Sequence, residues 1–186
     1  GRMGKCGATQ TACAADMTLD GKSAKEIGLT GDDRDSPEQF FRDIVTEGLF
    51  LNNQKIVEAY VEGSPIITKE LIDWGMKVYG FEEAHDQIYM RGILTSSKEI
   101  LGALRRGFRQ SGAEVIEDAM IVDLLTSDGR IAGAVALDLR YGHLILVKAK
   151  AVVLATGGWQ SAWPLNSATP DLTGDGSAMA FRAGAE

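Results

Sequence analysis

The chain has 186 residues, 45% hydrophobic and 24% charged, a globular composition long enough for one ordinary domain with its own core. A formal net charge of -7 argues against a nucleic-acid or anionic-membrane surface. No apolar run approaches the roughly 20 residues that span a bilayer, and no signal peptide opens the chain.

Cys6 and Cys13 match no zinc or redox spacing and build no disulfide framework, so a reducing, cytoplasmic compartment is expected. His85 and His143 lie far apart without paired ligands, and no metal site is expected.

Residues 1–35 are rich in Gly, Ala, Thr, Ser and Asp and read as irregular, with "TGDDRD" as an exposed loop. "DSPEQFFRDIVTEG" opens a helix: Ser36 caps it, Pro37 suits its first position, and Gln39 completes a capping box. Phe40, Phe41, Ile44 and Val45 form its buried stripe. A second helix starts near "NNQ" with Ile56, Val57, Tyr60 and Val61 at helical spacing. Gly63-Ser64-Pro65 interrupts it, and a new helical turn carries Ile66 to Trp74 until Gly75 ends it. Residues 76–95 read as loop with short strands. "SSKE" at 96–99 is another capping box, after which Ile100, Leu101, Leu104 and Phe108 share a face and Gly112 terminates.

From Glu114 the period changes. "EVIEDAMIVDLL", "RIAGAVALDLR" and "HLILVKAK" are strand-like, and the turns "SDGR" and "RYGH" make them an antiparallel meander. Residues 151–155 are apolar without alternation, as in a central parallel strand, and end on Thr156-Gly157-Gly158. A second junction, Thr173-Gly174-Asp175-Gly176, precedes a helix over 177–183.

A strand ending on Thr-Gly-Gly suggests backbone brought close to a ligand, although a plain turn has the same composition. Amides at the start of the helix after TGDG suit a pyrophosphate, or a carbonyl that gains charge on reduction. Asp175 is ill placed beside an anion and better suited to accept from a hydroxylated chain such as ribitol.

"GRIAGAVALDLRYGHLILVKAKAVVLATGGWQ" followed by "TGDGSAMAFRAGA" resembles the flavoprotein subunit of the succinate dehydrogenase and fumarate reductase family, which includes L-aspartate oxidase and the adenylylsulfate reductase flavoprotein. "DSPEQFFRDIVTEGLFLNNQKIVEAYVEGSP" resembles the family's helical stretch and "GATQTACAA" its first flavin-contacting loop. The fold class implied is α/β (α+β): part of a glutathione-reductase-like FAD-binding domain with a helical block and an antiparallel β-meander. Its parts would be a flavin-contacting loop (1–35), the helical block (36–112), the meander (113–150), and the strand with the TGDG helix (151–186).

The resemblance implies FAD, bound extended with its isoalloxazine ring against the substrate site. Ala8 and Thr9 fall where members contact the flavin pyrophosphate and ring. Members with covalent FAD carry histidine at the position of Ala8, so attachment here would be noncovalent. Cys13, Ala14 and Ala15 stand where the family shows a small residue and paired glycines, a departure that bears on how tight the loop is. The main chain of Ile121 matches the position that reads adenine. Ala155, Thr156 and Gly157 match the dinucleotide-facing strand end, and Gly174 and Asp175 the flavin-contacting helix entry. Each has a plainer use: Thr9 as a helix cap, Ile121 as core, Cys13 as a small packed residue, Arg182 as a salt-bridge partner.

No G-x-G-x-x-G precedes Gly7, and no counterpart of the family's capping domain, with its dicarboxylate-binding histidines and arginines, follows the TGDG helix. The chain therefore reads as an internal piece of a longer FAD-dependent oxidoreductase, with weak FAD affinity and no turnover alone, and no catalytic residue is assigned. The parent would move hydride between flavin and a dicarboxylate, with an iron–sulfur or other electron-transfer subunit as partner. Such partners could hold it peripherally at the cytoplasmic membrane face. The alternative is a non-catalytic flavoprotein remnant serving as a scaffold or subunit contact. A nicotinamide-binding dehydrogenase fits poorly, since no βαβ fingerprint is present.

Exposed sheet edges invite pairing with a second copy. The isolated chain is expected to self-associate in sedimentation equilibrium; a monomer mass that does not change with concentration would reject this.

Overall fold

The computed structural model describes residues 2–10, 17–83 and 88–185. The chain divides into two compact units, residues 12–112 and residues 1–11 with 113–186.

In the first unit, helices α1 (Gly21–Glu26), α2 (Pro37–Glu47), α3 (Gln54–Asp73) and α4 (Ser97–Ser111) surround an antiparallel hairpin of β1 (Gly80–Glu83) and β2 (Met90–Leu94). Residues 17–19 run beside β2, with Leu19 N donating to Arg91 O (3.2 Å) and Ile93 N to Met17 O (2.8 Å). Leu19, Ala24 and Ile93 form one buried cluster; Phe40, Val45, Val57 and Val61 form another between α2 and α3.

At the centre lies an ion pair with both side chains fully buried. Arg91 donates Nε to Asp35 Oδ2 (2.7 Å) and Nη2 to Asp35 Oδ1 (2.5 Å). Its guanidinium carbon sits 4.6 Å from the Phe40 ring centroid, and Nη1 lies 2.8 Å from Asp43 Oδ2. Burial works against the charged guanidinium, yet the bonds from Asp35 and then Asp43 outweigh it and hold Arg91 above its ordinary pKa. Asp35 also accepts from Gly21 N (3.1 Å) and Ser36 N (2.9 Å), so one carboxylate joins the start of α1, the cap of α2 and strand β2.

Several expectations are corrected. Residues 1–35 are not wholly irregular: α1 is capped by the buried Asp20, which accepts from Lys22 N and Ser23 N. "TGDDRD" is not simply exposed, because Asp35 is buried. Within the same loop, Asp32 accepts from the Arg34 side chain and then the Arg34 amide, which pull its carboxyl down to about 2.

Gly63-Ser64-Pro65 does not interrupt α3, which runs unbroken through Pro65. Proline removes the donor that Val61 O would receive, and the Ser64 hydroxyl donates to that same carbonyl at 3.2 Å. The helix ends as expected at Gly75, in a Schellman turn: Gly75 N donates to Ile72 O and Met76 N to Leu71 O.

The cap serines act as read, Ser36 accepting from Gln39 N and Ser96 from Glu99 N, but the side chains that would reciprocate are engaged elsewhere. Ser36 N is already taken by Asp35, and the Gln39 amide bonds Asp43; the Glu99 carboxylate bonds Tyr79 and Lys77 N instead. On α4 the fully buried positions are Ala103 and Gly107 rather than Leu104, which is 43% exposed. A Cβ on Gly107 would stand 2.5 Å from the Trp74 ring, so the helix face is kept flat to receive that indole.

The second unit holds the meander, with strand order β3 (Ala119–Ser127), β4 (Arg130–Asp138), β5 (Leu144–Lys148), antiparallel throughout. Asp128 and Gly129 both have positive φ, as the two-residue β3–β4 turn requires. Gly133 has φ 148°, and a Cβ there would lie 1.9 Å from Val147 O, so glycine sets the β4–β5 approach. Helix α5 (Asp175–Arg182) touches β3, where Arg182 Nη2 donates to Asp123 Oδ1 at 3.1 Å, the salt-bridge role expected of it. Residues 151–155 join no ladder, and Val153 is 89% exposed. The expected central strand is corrected on this point: a strand is held by its neighbours, and among the described residues none lies beside it.

Replacing Asp35 by Ala would leave a buried guanidinium uncompensated. Asp35→Ala is expected to lower unfolding stability by about 3–5 kcal/mol in urea titration of the full chain; a loss below about 1 kcal/mol, the range of an exposed pair, would show that the pair does not anchor the unit.

Candidate functional site

The two glycine junctions read from the sequence lie against each other in the second unit. Gly174 N donates to Gly158 O at 3.2 Å. A Cβ on Gly176 would stand 1.9 Å from Thr156 Oγ1, one on Gly157 2.5 Å from Leu172 Cδ2, and one on Gly174 2.8 Å from Trp159 Cβ. Gly157 and Gly174 also have φ near +80° (77° and 80°), where a side chain is strained whatever the space. The bareness of these glycines is thus used first by the protein itself, to bring the end of 151–158 onto the start of α5.

Gly174 caps α5 through its backbone, with no side-chain acceptor on the first amides of the helix. The exposed Asp175 and Ser177 open the helix at its partly positive end, whereas Gly176 between them is buried under Thr156. Asp175 is exposed, and its carboxylate accepts from the Thr173 hydroxyl.

Other predicted residues fall in the same unit. Ala8 and Thr9 lie exposed in a short 3-10 turn, Ala8–Gln10. Gly7, just before it, donates N–H to Asp171 Oδ2 at 2.8 Å, which fastens the turn to the loop leading into α5. Further back, Met3 N donates to Glu117 Oε1 (3.0 Å), and Arg2 Nε lies 3.2 Å from Asp118 Oδ2. Burial would raise the Asp118 carboxyl, but Arg2 and then Arg140 outweigh it and hold it below the usual carboxylate range. Ile121 is on β3 and 39% exposed, next to a bulge where the register slips between Ile121 and Asp123. Ala155, Thr156 and Gly157 are exposed on the segment that meets α5. Cys13 and Ala14 lie outside the described residues.

The structure therefore brings the strand end, the α5 entry and the Gly7 loop into one unit. The sequence reading missed Asp171, whose tether is visible only once residues 7 and 171 meet in space. The clefts of the helical unit, of about 420 and 280 Å³, are lined by none of the predicted site residues. Among the described residues no cluster of three or more His, Cys, Asp or Glu could hold a metal ion, and no helix is long and apolar enough to cross a membrane.

Comparison with known proteins gives the family and the fold. The family model described as "FAD binding domain" matches residues 23–186. A fumarate reductase flavoprotein subunit of Mycobacterium tuberculosis is 32% identical over 168 residues, covering 84% of this chain and 29% of that protein. An L-aspartate oxidase of Streptomyces coelicolor is 33% identical over 170 residues, covering 82% and 29%. The Mycobacterium smegmatis Sdh1 complex in its apo form superposes with a TM-score of 0.87 at 26% identity, over 99% of this chain and 33% of that one. The chain thus spans about 30% of the length of the curated relatives it matches. The matched span runs through α5 and both glycine junctions, and on that ground the chain belongs to the FAD-binding-domain family, whose cofactor is FAD.

Proposed function

We propose that this chain supplies part of the FAD site of an oxidoreductase of the fumarate reductase and succinate dehydrogenase type, acting on a dicarboxylate. The observation that carries the reading is the contact of the two glycine junctions at the start of α5, which no side chain caps and where the Asp175 carboxylate is exposed. Bound FAD supplies hydride acceptance and donation.

The protein's part is binding and orientation. The amides of the exposed Asp175 and Ser177 suit a partly negative oxygen of the cofactor, where the helix start adds favourable charge. Asp175 suits a hydroxyl of the ribityl chain, because its fixed negative charge disfavours a phosphate and favours a donor. The exposed 8–10 turn, tethered by Asp171, would lie along the dinucleotide with Ala8 and Thr9, and the backbone of Ile121 would offer its polar groups to adenine. Cys13 and Ala14, which lie outside the described residues, are proposed as contacts on the family resemblance alone. Ala8 has no side-chain nucleophile, so attachment is noncovalent. The similarity to both a fumarate reductase subunit and an L-aspartate oxidase supports a dicarboxylate or an amino dicarboxylate as substrate. An iron–sulfur or other electron-transfer subunit would be the partner, and a cytoplasmic location, direct or through such a subunit, fits the reading.

Two outcomes are expected. In equilibrium dialysis the chain retains FAD weakly but saturably, and Asp175→Ala weakens retention about tenfold, the worth of one charge-assisted hydrogen bond; unchanged retention would remove Asp175 from the site. Acid precipitation of FAD-loaded protein leaves all flavin in the supernatant. A flavin-fluorescent protein band on a denaturing gel would refute noncovalent attachment.

A further inference from the structure

The loop between the junctions carries two tryptophans that the fold leaves uncovered. Trp159 is 59% and Trp163 52% exposed. Their rings meet edge to face, with centroids 5.3 Å apart and planes at 85°. Such an arrangement uses the edge of one indole and a face of the other, and leaves further aromatic face open. Trp74, the third tryptophan, is by contrast partly buried against Gly107.

The exposed pair is nevertheless held in place. Ala162 N donates to Trp159 O (3.0 Å) and Trp163 N to Gln160 O (3.1 Å), closing the 3-10 turn Gln160–Ala162 between the rings. Ser161 is pinned to the far side of the loop, its N–H on Leu172 O and its hydroxyl on Thr169 O. Asn166 Nδ2 donates to Trp163 O at 2.7 Å. Backbone order of this kind beneath two large apolar rings that the rest of this chain does not cover suits a recognition surface better than a core. Its position names the ligand chemistry. Trp159 follows Gly158 directly and packs its Cβ over Gly174, the residue that opens α5. A flavin dinucleotide whose ribityl chain lies at Asp175 carries a flat heteroaromatic ring at the end of that chain.

We infer that a ring of the bound flavin dinucleotide packs on the open face of Trp159, with Trp163 bracing that indole in position. The inference rests on the reading of this unit as an FAD site. It goes beyond that reading in assigning a stacking role to two residues that neither motif pattern nor backbone contact singled out.

The test uses the full chain. FAD, ADP and FMN are titrated separately while tryptophan emission is followed, and retention is measured independently by dialysis. Wild type is compared with Trp159→Ala, Trp159→Phe and Trp163→Ala, with circular dichroism and the melting midpoint as checks on folding. FAD is expected to quench tryptophan emission. Trp159→Ala should weaken FAD binding about tenfold, as loss of one base–aromatic stack does, with Trp159→Phe close to wild type and Trp163→Ala in between. Quenching by ADP alone assigns the adenine ring, and quenching by FMN alone the isoalloxazine; either supports the inference. FAD retained as tightly by folded Trp159→Ala as by wild type, with emission unmoved, overturns the stacking role and leaves the FAD site standing. No FAD retained by wild type at any concentration overturns the site itself and the stacking role with it.

Discussion

Backbone approaching where no side chain stands is the constraint on which both units depend. In the meander unit, Gly176 lets α5 sit on Thr156, and Gly133 lets β4 meet the carbonyl of Val147. In the helical unit, Gly21 and Gly31 press main chain to main chain: a Cβ on Gly31 would stand 2.0 Å from Gly21 O. Gly107 does the same for an indole. At each of these places a single methyl group would force a segment to move, so the positions of the elements follow from where the chain omits a side chain.

Close approach alone would not hold the helical unit in register, and charge completes the task. The Asp35 carboxylate is satisfied by two bonds from Arg91 and by amides at the starts of two helices. Desolvating both ions is costly, and the geometry offsets it because the oxygens of one carboxylate serve three elements at once. The arrangement specifies which loop meets which strand, something that the apolar clusters around Leu19 and Phe40 would not do by themselves.

Much of this was legible in the sequence, for reasons that vary with the element. The meander was clear because its turn chemistry is local: Asp128-Gly129 can be read without knowing anything distant. The α2 cap was legible through Ser36 and Pro37 for the same reason. The reading failed where a distant partner decided the outcome. The Ser64 hydroxyl makes Pro65 tolerable inside α3, and the rule that proline breaks helices does not see it. Asp35 reads as a loop carboxylate until Arg91 is brought to it. Residues 151–155 have the composition of a buried strand, yet composition cannot supply the neighbours that make a strand. For the site, the two glycine junctions could be found from the pattern and their mutual contact could not, since nothing in the sequence says that Gly158 and Gly174 share a hydrogen bond.

That contact changes what the glycines are for. A bare strand end is commonly taken as room left for a ligand, but here the room at Gly157, Gly174 and Gly176 is filled by Leu172, Trp159 and Thr156 of the same chain. A cofactor at this place would therefore be met by what the packing leaves exposed: the start of α5 at Asp175 and Ser177, the carboxylate of Asp175, the tethered turn at Ala8 and the open faces of the tryptophans. These are a donor row, an acceptor, a backbone rail and an aromatic wall, each suited to a different part of a flavin dinucleotide. The glycines act one step earlier, by setting how closely residues 156–159 lie on the start of α5.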